Sequence, residues 1–212
     1  MTVKSSVRKF LVKVKLWRIL NLFRLVPAVF SWKARGFVGA APHRIKMTII
    51  KSYVKKYSIR RFVETGTYLG DTLDYIAKTR IDCASIELST DLYNAACARF
   101  SGVKNIKLLH GDSGQVLPEF LKEISEPTLF WLDGHYSAGI TAGIEMHTPI
   151  SAELDAILNH SIKEHVILID DARCFDGTND YPHLDSLLKK IREDGGYEVE
   201  VTMDIVRLVP RC

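Results

Sequence analysis

Short apolar runs alternate with amphipathic stretches from residue 45 to residue 209. This alternation constrains the fold more than any other feature of the 212-residue chain. Ile45, Ile49, Ile50, Tyr53, Val54 and Tyr57 recur at helical spacing. Arg61-Phe62-Val63 reads as a short strand, followed by a glycine turn and a helix through Leu73, Ile76 and Ala77. Strands are predicted at Ala84–Ile86, Ile106–Leu109, Thr128–Leu132 and Val166–Ile169, with helices at Leu92–Phe100, Leu117–Ile124 behind Pro118, Ala152–Leu158 and Leu184–Ile191. Repeated strand–helix units demand a mostly parallel sheet covered by helices on both faces. Val166–Ile169 is purely apolar, as a strand buried on both sides must be. Tyr197–Val201 and Ile205–Val209, joined at Met203-Asp204, predict a hairpin and hence an antiparallel closing strand. The expectation is an α/β fold, Rossmann-like and doubly wound.

In such sheets ligands bind beyond the carboxyl ends of the strands, and acids recur at those ends here. Phe62-Val63-Glu64-Thr65-Gly66-Thr67-Tyr68-Leu69-Gly70-Asp71-Thr72 spans the first strand-to-helix junction. Gly66 and Gly70 permit a sharp bend and close approach to a ligand. The spacing is E-x-G-x-x-x-G, not the G-x-G-x-x-G of dinucleotide sites. An acid at that strand end repels a pyrophosphate but attracts an ammonium. Glu87 ends the second strand, where an acid accepts ribose hydroxyls. Asp112 and Ser113 follow the third, where Asp112 can receive an adenine amino group. Any one of these acids alone reads equally well as a solvated charge or a helix cap.

Phe130-Trp131-Leu132-Asp133 and Ile167-Leu168-Ile169-Asp170-Asp171 end the next two strands. Three carboxylates brought together repel unless a cation neutralises them, and oxygen ligands suit magnesium or another hard divalent ion. The alternative is that Asp170 and Asp171 cap the following turn or pair with Arg173. The loop from Ser137 to Pro149, with Thr141, Glu145 and His147, reads as a substrate lid or a surface insertion. His43, His160, His165 and His183 read as structural or solvent-exposed.

The run E-T-G-T-Y-L-G-D-T resembles the E-x-G-x-Y-x-G-x-[ST] glycine loop of class I S-adenosylmethionine (SAM)-dependent methyltransferases. It is similar to that of the catechol-type, metal-dependent O-methyltransferases and of the macrocin-type sugar O-methyltransferases. The resemblance covers about residues 45–210. It implies SAM as cofactor, held by Glu64, Gly66, Tyr68, Gly70, Thr72, Glu87, Asp112 and Ser113. It also implies methyl transfer to a hydroxyl of a sugar, a glycan or another small polar acceptor, with a metal, magnesium, on Asp133, Asp170 and Asp171. One departure stands out. The catechol-type enzymes follow the fourth-strand acid with a lysine base, whereas this chain has Gly134-His135-Tyr136. His135, beside Asp133, is the expected proton acceptor, though a ligand or passive loop residue is an equal reading. Two other readings compete: a metal-free methyltransferase acting on nitrogen or carboxylate, and an inactive SAM-fold module recruited through its N-terminal arm. A Rossmann oxidoreductase is disfavoured because its glycine pattern is absent.

Residues 1–36 form that arm, followed by a linker at 37–44 and the methyltransferase-like domain at 45–212. The arm carries nine cations and no acid. Because the whole chain has a formal net charge of only +4, the domain itself is net acidic. No nucleic-acid partner is therefore expected on the domain, and a homo-oligomer is an open alternative. Cys83, Cys97, Cys174 and Cys212 form no metal-binding pattern and fit a reducing, cytoplasmic location. The longest uncharged stretch of the arm, Leu25–Trp32, is far shorter than the roughly 20 residues a spanning helix needs. Phe10, Trp17 and Phe23 interleave with the arm's cations, so the arm either contacts an anionic inner-membrane surface or docks over the domain. Co-sedimentation with liposomes separates the two. On the membrane reading, binding rises with anionic lipid and is lost on deleting residues 1–36; indifference to both supports docking.

Overall fold

The structure is a computed structural model that describes residues 29–34, 36–37, 39–133, 148–178 and 180–211. Most of the arm, His135 and most of the 137–149 loop lie outside the described residues. Seven strands, β1 (Arg61–Thr65), β2 (Asp82–Glu87), β3 (Ile106–His110), β4 (Thr128–Leu132), β5 (Val166–Ile169), β6 (Tyr197–Thr202) and β7 (Ile205–Pro210), form one sheet in the order β3-β2-β1-β4-β5-β7-β6. β1 to β5 are mutually parallel, and β7 runs antiparallel to both β5 and β6. Met203 and Asp204 both take positive φ, 54° and 63°, the geometry that lets a two-residue turn close a twisted hairpin.

The helices are α1 (His43–Lys56), α2 (Asp71–Ala77), α3 (Thr90–Arg99), α4 (Ser113–Leu121), α5 (Ile150–Leu158) and α6 (Leu184–Asp194). Alternate strand residues feed two cores. Val63, Ile86, Phe130, Leu132 and Ile167 pack under Leu117 of α4, Leu154 and Ile157 of α5 and Ile191 of α6. Phe62, Leu129, Trp131 and Leu168 pack under Ile50 and Val54 of α1 and Leu73 and Ile76 of α2. Every residue of β4 and β5 is buried, as apolar runs covered on both faces require. β1 pairs with both β2 and β4. The chain thus winds outward in opposite directions from β1 and β4 and opens a crevice beyond their carboxyl ends.

Several elements start earlier than the sequence expectation, and two of these starts bear on the site. α4 begins at Ser113 rather than at Leu117 and contains Pro118, because the Asp112 carboxylate accepts the Gly114 N–H at 2.9 Å and caps the helix. α1 begins at His43, inside the expected 37–44 linker. Residues 29–34 are helical, and Trp32 is buried, with its indole N–H donating to the Gly39 carbonyl at 3.3 Å. The end of the arm is therefore tied to the linker that follows it. Among the described residues no helix is long and apolar enough to cross a membrane.

At the sheet edge opposite the crevice, a histidine pair ties four elements together. The Thr128 N–H donates to His165 Nδ1 at 3.1 Å, so the His165 proton resides on Nε2 and is donated to His160 Nδ1 at 2.9 Å. His160 Nε2–H then donates to the Leu121 carbonyl at 3.1 Å. The chain of bonds requires both rings to be neutral. Burial, reinforced by His160 and Lys163, pushes the His165 pKa down to about 4. A histidine whose folded pKa lies below its unfolded value adds stability above the unfolded pKa and loses it as pH falls toward the folded one. Denaturant unfolding should therefore show wild type losing about 2–3 kcal/mol more than His165→Phe between pH 7 and pH 4. Parallel losses in the two proteins would show that His165 does not titrate in this way.

Candidate functional site

The glycine loop between β1 and α2 takes positive φ at Gly66, Tyr68 and Gly70, at 81°, 48° and 71°. The N–H groups of Gly66 and Thr67 bond to the Ile86 carbonyl, at 3.0 and 3.3 Å, and lash the loop to β2. A side chain at Gly70 would meet the Phe100 ring at 2.8 Å. Arg99, at the end of α3, donates to the Leu69 carbonyl and to Asp71 at 3.0 Å, and pairs with Asp74 at 3.3 Å. The bend is thus held from behind while its front faces the crevice. Thr72 is buried in the first turn of α2 and Tyr68 is exposed.

Glu64 is 1% exposed within β1. Its Oε1 accepts the Ser85 hydroxyl at 2.8 Å, and the Ser85 and Thr67 hydroxyls share a hydrogen bond at 2.6 Å. Burial, only partly offset by Ser85, pushes its pKa up to about 8, with Asp133 and Glu87 adding to the rise. Glu87 is buried too, and its two oxygens accept the N–H groups of Tyr68, at 2.8 Å, and Ser89, at 2.9 Å. It is thereby a strut that fixes the glycine loop. Asp112 is exposed and caps α4, and Ser113 beside it is buried.

On the other side of the crevice, Asp133, Asp170 and Asp171 each place an oxygen within 4.8 Å of the others. The structure thus gathers the expected carboxylates into one cluster, but a cation from α1 already lies in it. Lys46 Nζ donates to Asp170 Oδ2 at 2.6 Å and to Asp171 Oδ1 at 2.9 Å, and Lys46 itself is buried. Burial alone would push this ammonium toward neutrality; Asp170 and then Asp171 outweigh it and hold the pKa above that of an ordinary lysine. Arg173 pairs with Asp171 at 2.7 Å and also with Asp204, as the alternative sequence reading allowed. The donor set suits a hard divalent ion, but such an ion would have to expel a doubly bonded, buried ammonium. The residues present therefore do not fit a resident metal.

A second buried charge, Glu153 of α5, lines the same small cavity as Asp133, Asp170, Phe175 and Tyr181. It is 1% exposed, and neither of its oxygens has a hydrogen-bond partner among the described residues. Burial pushes its pKa up to about 7 against the pull of the nearby Ser113 and Thr65 hydroxyls. Lys46 and Glu153 are absent from the sequence expectation, yet both carry a signal. Lys46 falls in the stripe of Ile50 and Val54, and Glu153 in that of Ile150, Leu154 and Ile157. A charge on an apolar stripe needs a buried partner or a ligand.

Removing the Glu87 carboxylate leaves the part-buried N–H groups of Tyr68 and Ser89 without their acceptor. Glu87→Ala should lower unfolding free energy by about 2–4 kcal/mol, measured by denaturant titration. An unchanged midpoint would show that the loop holds its shape without the carboxylate.

No protein-family model matches the chain, and no curated protein matches it. Solved structures do. The chain superposes on the S-adenosylhomocysteine-bound methyltransferase PaMTH1 of Podospora anserina with a TM-score of 0.58 at 16% identity, covering 81% of this chain and 80% of that one. An O-methyltransferase of Bacillus cereus in complex with S-adenosylhomocysteine gives 0.61 at 14% identity over 92% and 99%. The O-methyltransferase TomG of Streptomyces achromogenes, involved in tomaymycin synthesis and bound to SAM, gives 0.60 at 13% identity over 88% and 89%. Likeness at these identities speaks for architecture: the chain has the Rossmann-like fold of the class I SAM-dependent methyltransferases.

Proposed function

We propose that this chain is a SAM-dependent methyltransferase acting on a hydroxyl of a sugar or other small polar acceptor. The observation that carries the reading is the pairing of Glu64 and Glu87 about a braced glycine loop at the crevice. A buried acid near pH 8 in its pKa is poised to ionise against a ligand cation. The methionyl ammonium and the sulfonium of SAM are such cations, whereas a dinucleotide pyrophosphate would be repelled. The chemistry asks little of the protein beyond alignment. The C–O bond forms as the S–CH3 bond breaks, the electron pair goes to sulfur, and the acceptor's proton passes to a base. Asp133 lies beside the cavity lined by Thr148, Phe175 and Tyr181, which we assign to the acceptor. Magnesium would need the carboxylates that Lys46 holds.

Calorimetry tests the reading. S-adenosylhomocysteine should bind in the micromolar range, about 8 kcal/mol, and NAD should not compete. Because Glu64 ionises near pH 8 in the free protein, affinity should rise between pH 6 and pH 8, at most about tenfold per unit. Glu64→Gln should bind at least about tenfold more weakly and lose that pH dependence, since a charge-assisted contact is gone. Tight NAD binding with none of the SAM product would overturn the proposal.

A further inference from the structure

We infer that Lys46 is the resident cation of the Asp133–Asp170–Asp171 cluster, standing in the place of a divalent metal, so that the wild-type chain binds no magnesium or manganese there. The inference deepens the methyltransferase reading and rests on it for the cluster's role beside the acceptor. The geometry itself is independent of that reading. Both Lys46 contacts, 2.6 and 2.9 Å, are the short distances of charge-assisted hydrogen bonds. Its side chain leaves α1 on the face that buries Met47, Ile50 and Val54. Expelling it would strand a charge against an apolar core.

An ammonium has three N–H donors, and Asp170 and Asp171 take two of them. The cation also arrives from a different element. The lysine that the resemblance places just after the fourth-strand acid is missing, because Gly134-His135-Tyr136 stands there. Instead α1, anchored ahead of β1, delivers a lysine across the sheet edge to the end of β5. Lys46 is thus a positioning residue: it holds two aspartates at fixed separation and supplies the positive charge on the acceptor side of the crevice.

The test measures metal binding directly, by thermal melting and by calorimetric titration with manganese, on the full chain. Wild type should melt at the same temperature in manganese or magnesium as in sodium at matched ionic strength, with no manganese binding heat. Lys46→Ala removes the competitor from between two close carboxylates. It should melt lower and gain a saturable manganese response, roughly 5 °C or more at a hundredfold excess over Kd. Lys46→Arg keeps a cation and should stay indifferent to metal. A saturable manganese response in wild type would overturn the inference, as would a Lys46→Ala protein that folds and ignores manganese. If Lys46→Ala does not fold, wild type and Lys46→Arg still decide, because a manganese response in either contradicts a resident ammonium. S-adenosylhomocysteine binding, measured in parallel, separates the two claims: its loss in wild type defeats the methyltransferase reading while the manganese arms still report on Lys46.

Discussion

A carboxylate taken out of water must be paired, hydrogen-bonded or neutralised, and this requirement organises the crevice. A doubly wound sheet delivers the residue after each parallel strand to one edge. In this chain Glu87, Asp133 and Asp170 stand at those ends, with Glu64 one residue inside β1. Each finds a different settlement. Glu87 accepts two backbone N–H groups and so becomes part of the loop's architecture. Asp170 and Asp171 share Lys46. Glu64 has one hydroxyl and a raised pKa, and Glu153 has a raised pKa and no hydrogen-bond partner among the described residues. The well-compensated acids build the site; the poorly compensated ones are the groups a cationic or hydrogen-bonding ligand would improve.

The crevice divides at the boundary between β1 and β4. On the β1–β2–β3 side, backbone strain at Tyr68 and the close packing of Gly70 on Phe100 are tolerated because Arg99, Glu87 and the Ile86 carbonyl hold the loop at several points. On the β4–β5 side, charge pairs dominate, and Phe175 with the Tyr181 ring packed on it at 5.1 Å lines one wall of the cavity. Such a division suits a reaction that brings a cationic nucleoside and a neutral acceptor together in line. α1 links the halves, since it packs over the β1–β4 core through Ile50 and reaches Asp170 through Lys46.

Much of this was legible in the sequence because the sheet depends on period and length. Val166–Ile169 and Thr128–Leu132 are apolar runs too short for helices and flanked by turns, and both are strands. Asp133, Asp170 and Asp171 were legible because chain order fixes strand ends. Lys46 and Glu153 were not, because their meaning depends on which strand lies beneath each helix, and spacing within one helix does not specify that. The start of α4 was misplaced because Pro118 was weighed as a boundary while Asp112, read as a ligand, is also the cap. The bracing role of Glu87 was not legible because one of its two N–H partners, Tyr68, comes from the glycine loop rather than from its own segment.

The central claim is that the cofactor binds across the carboxyl ends of β1, β2 and β3. Backbone hydrogen exchange with and without S-adenosylhomocysteine tests it most directly. The account predicts slowed exchange at residues 64–72, 87–90 and 110–116, with little change at the opposite edge, where Arg61, Asp82 and Lys104 line a second hollow. Protection centred on that hollow, or none at the glycine loop, would contradict the account.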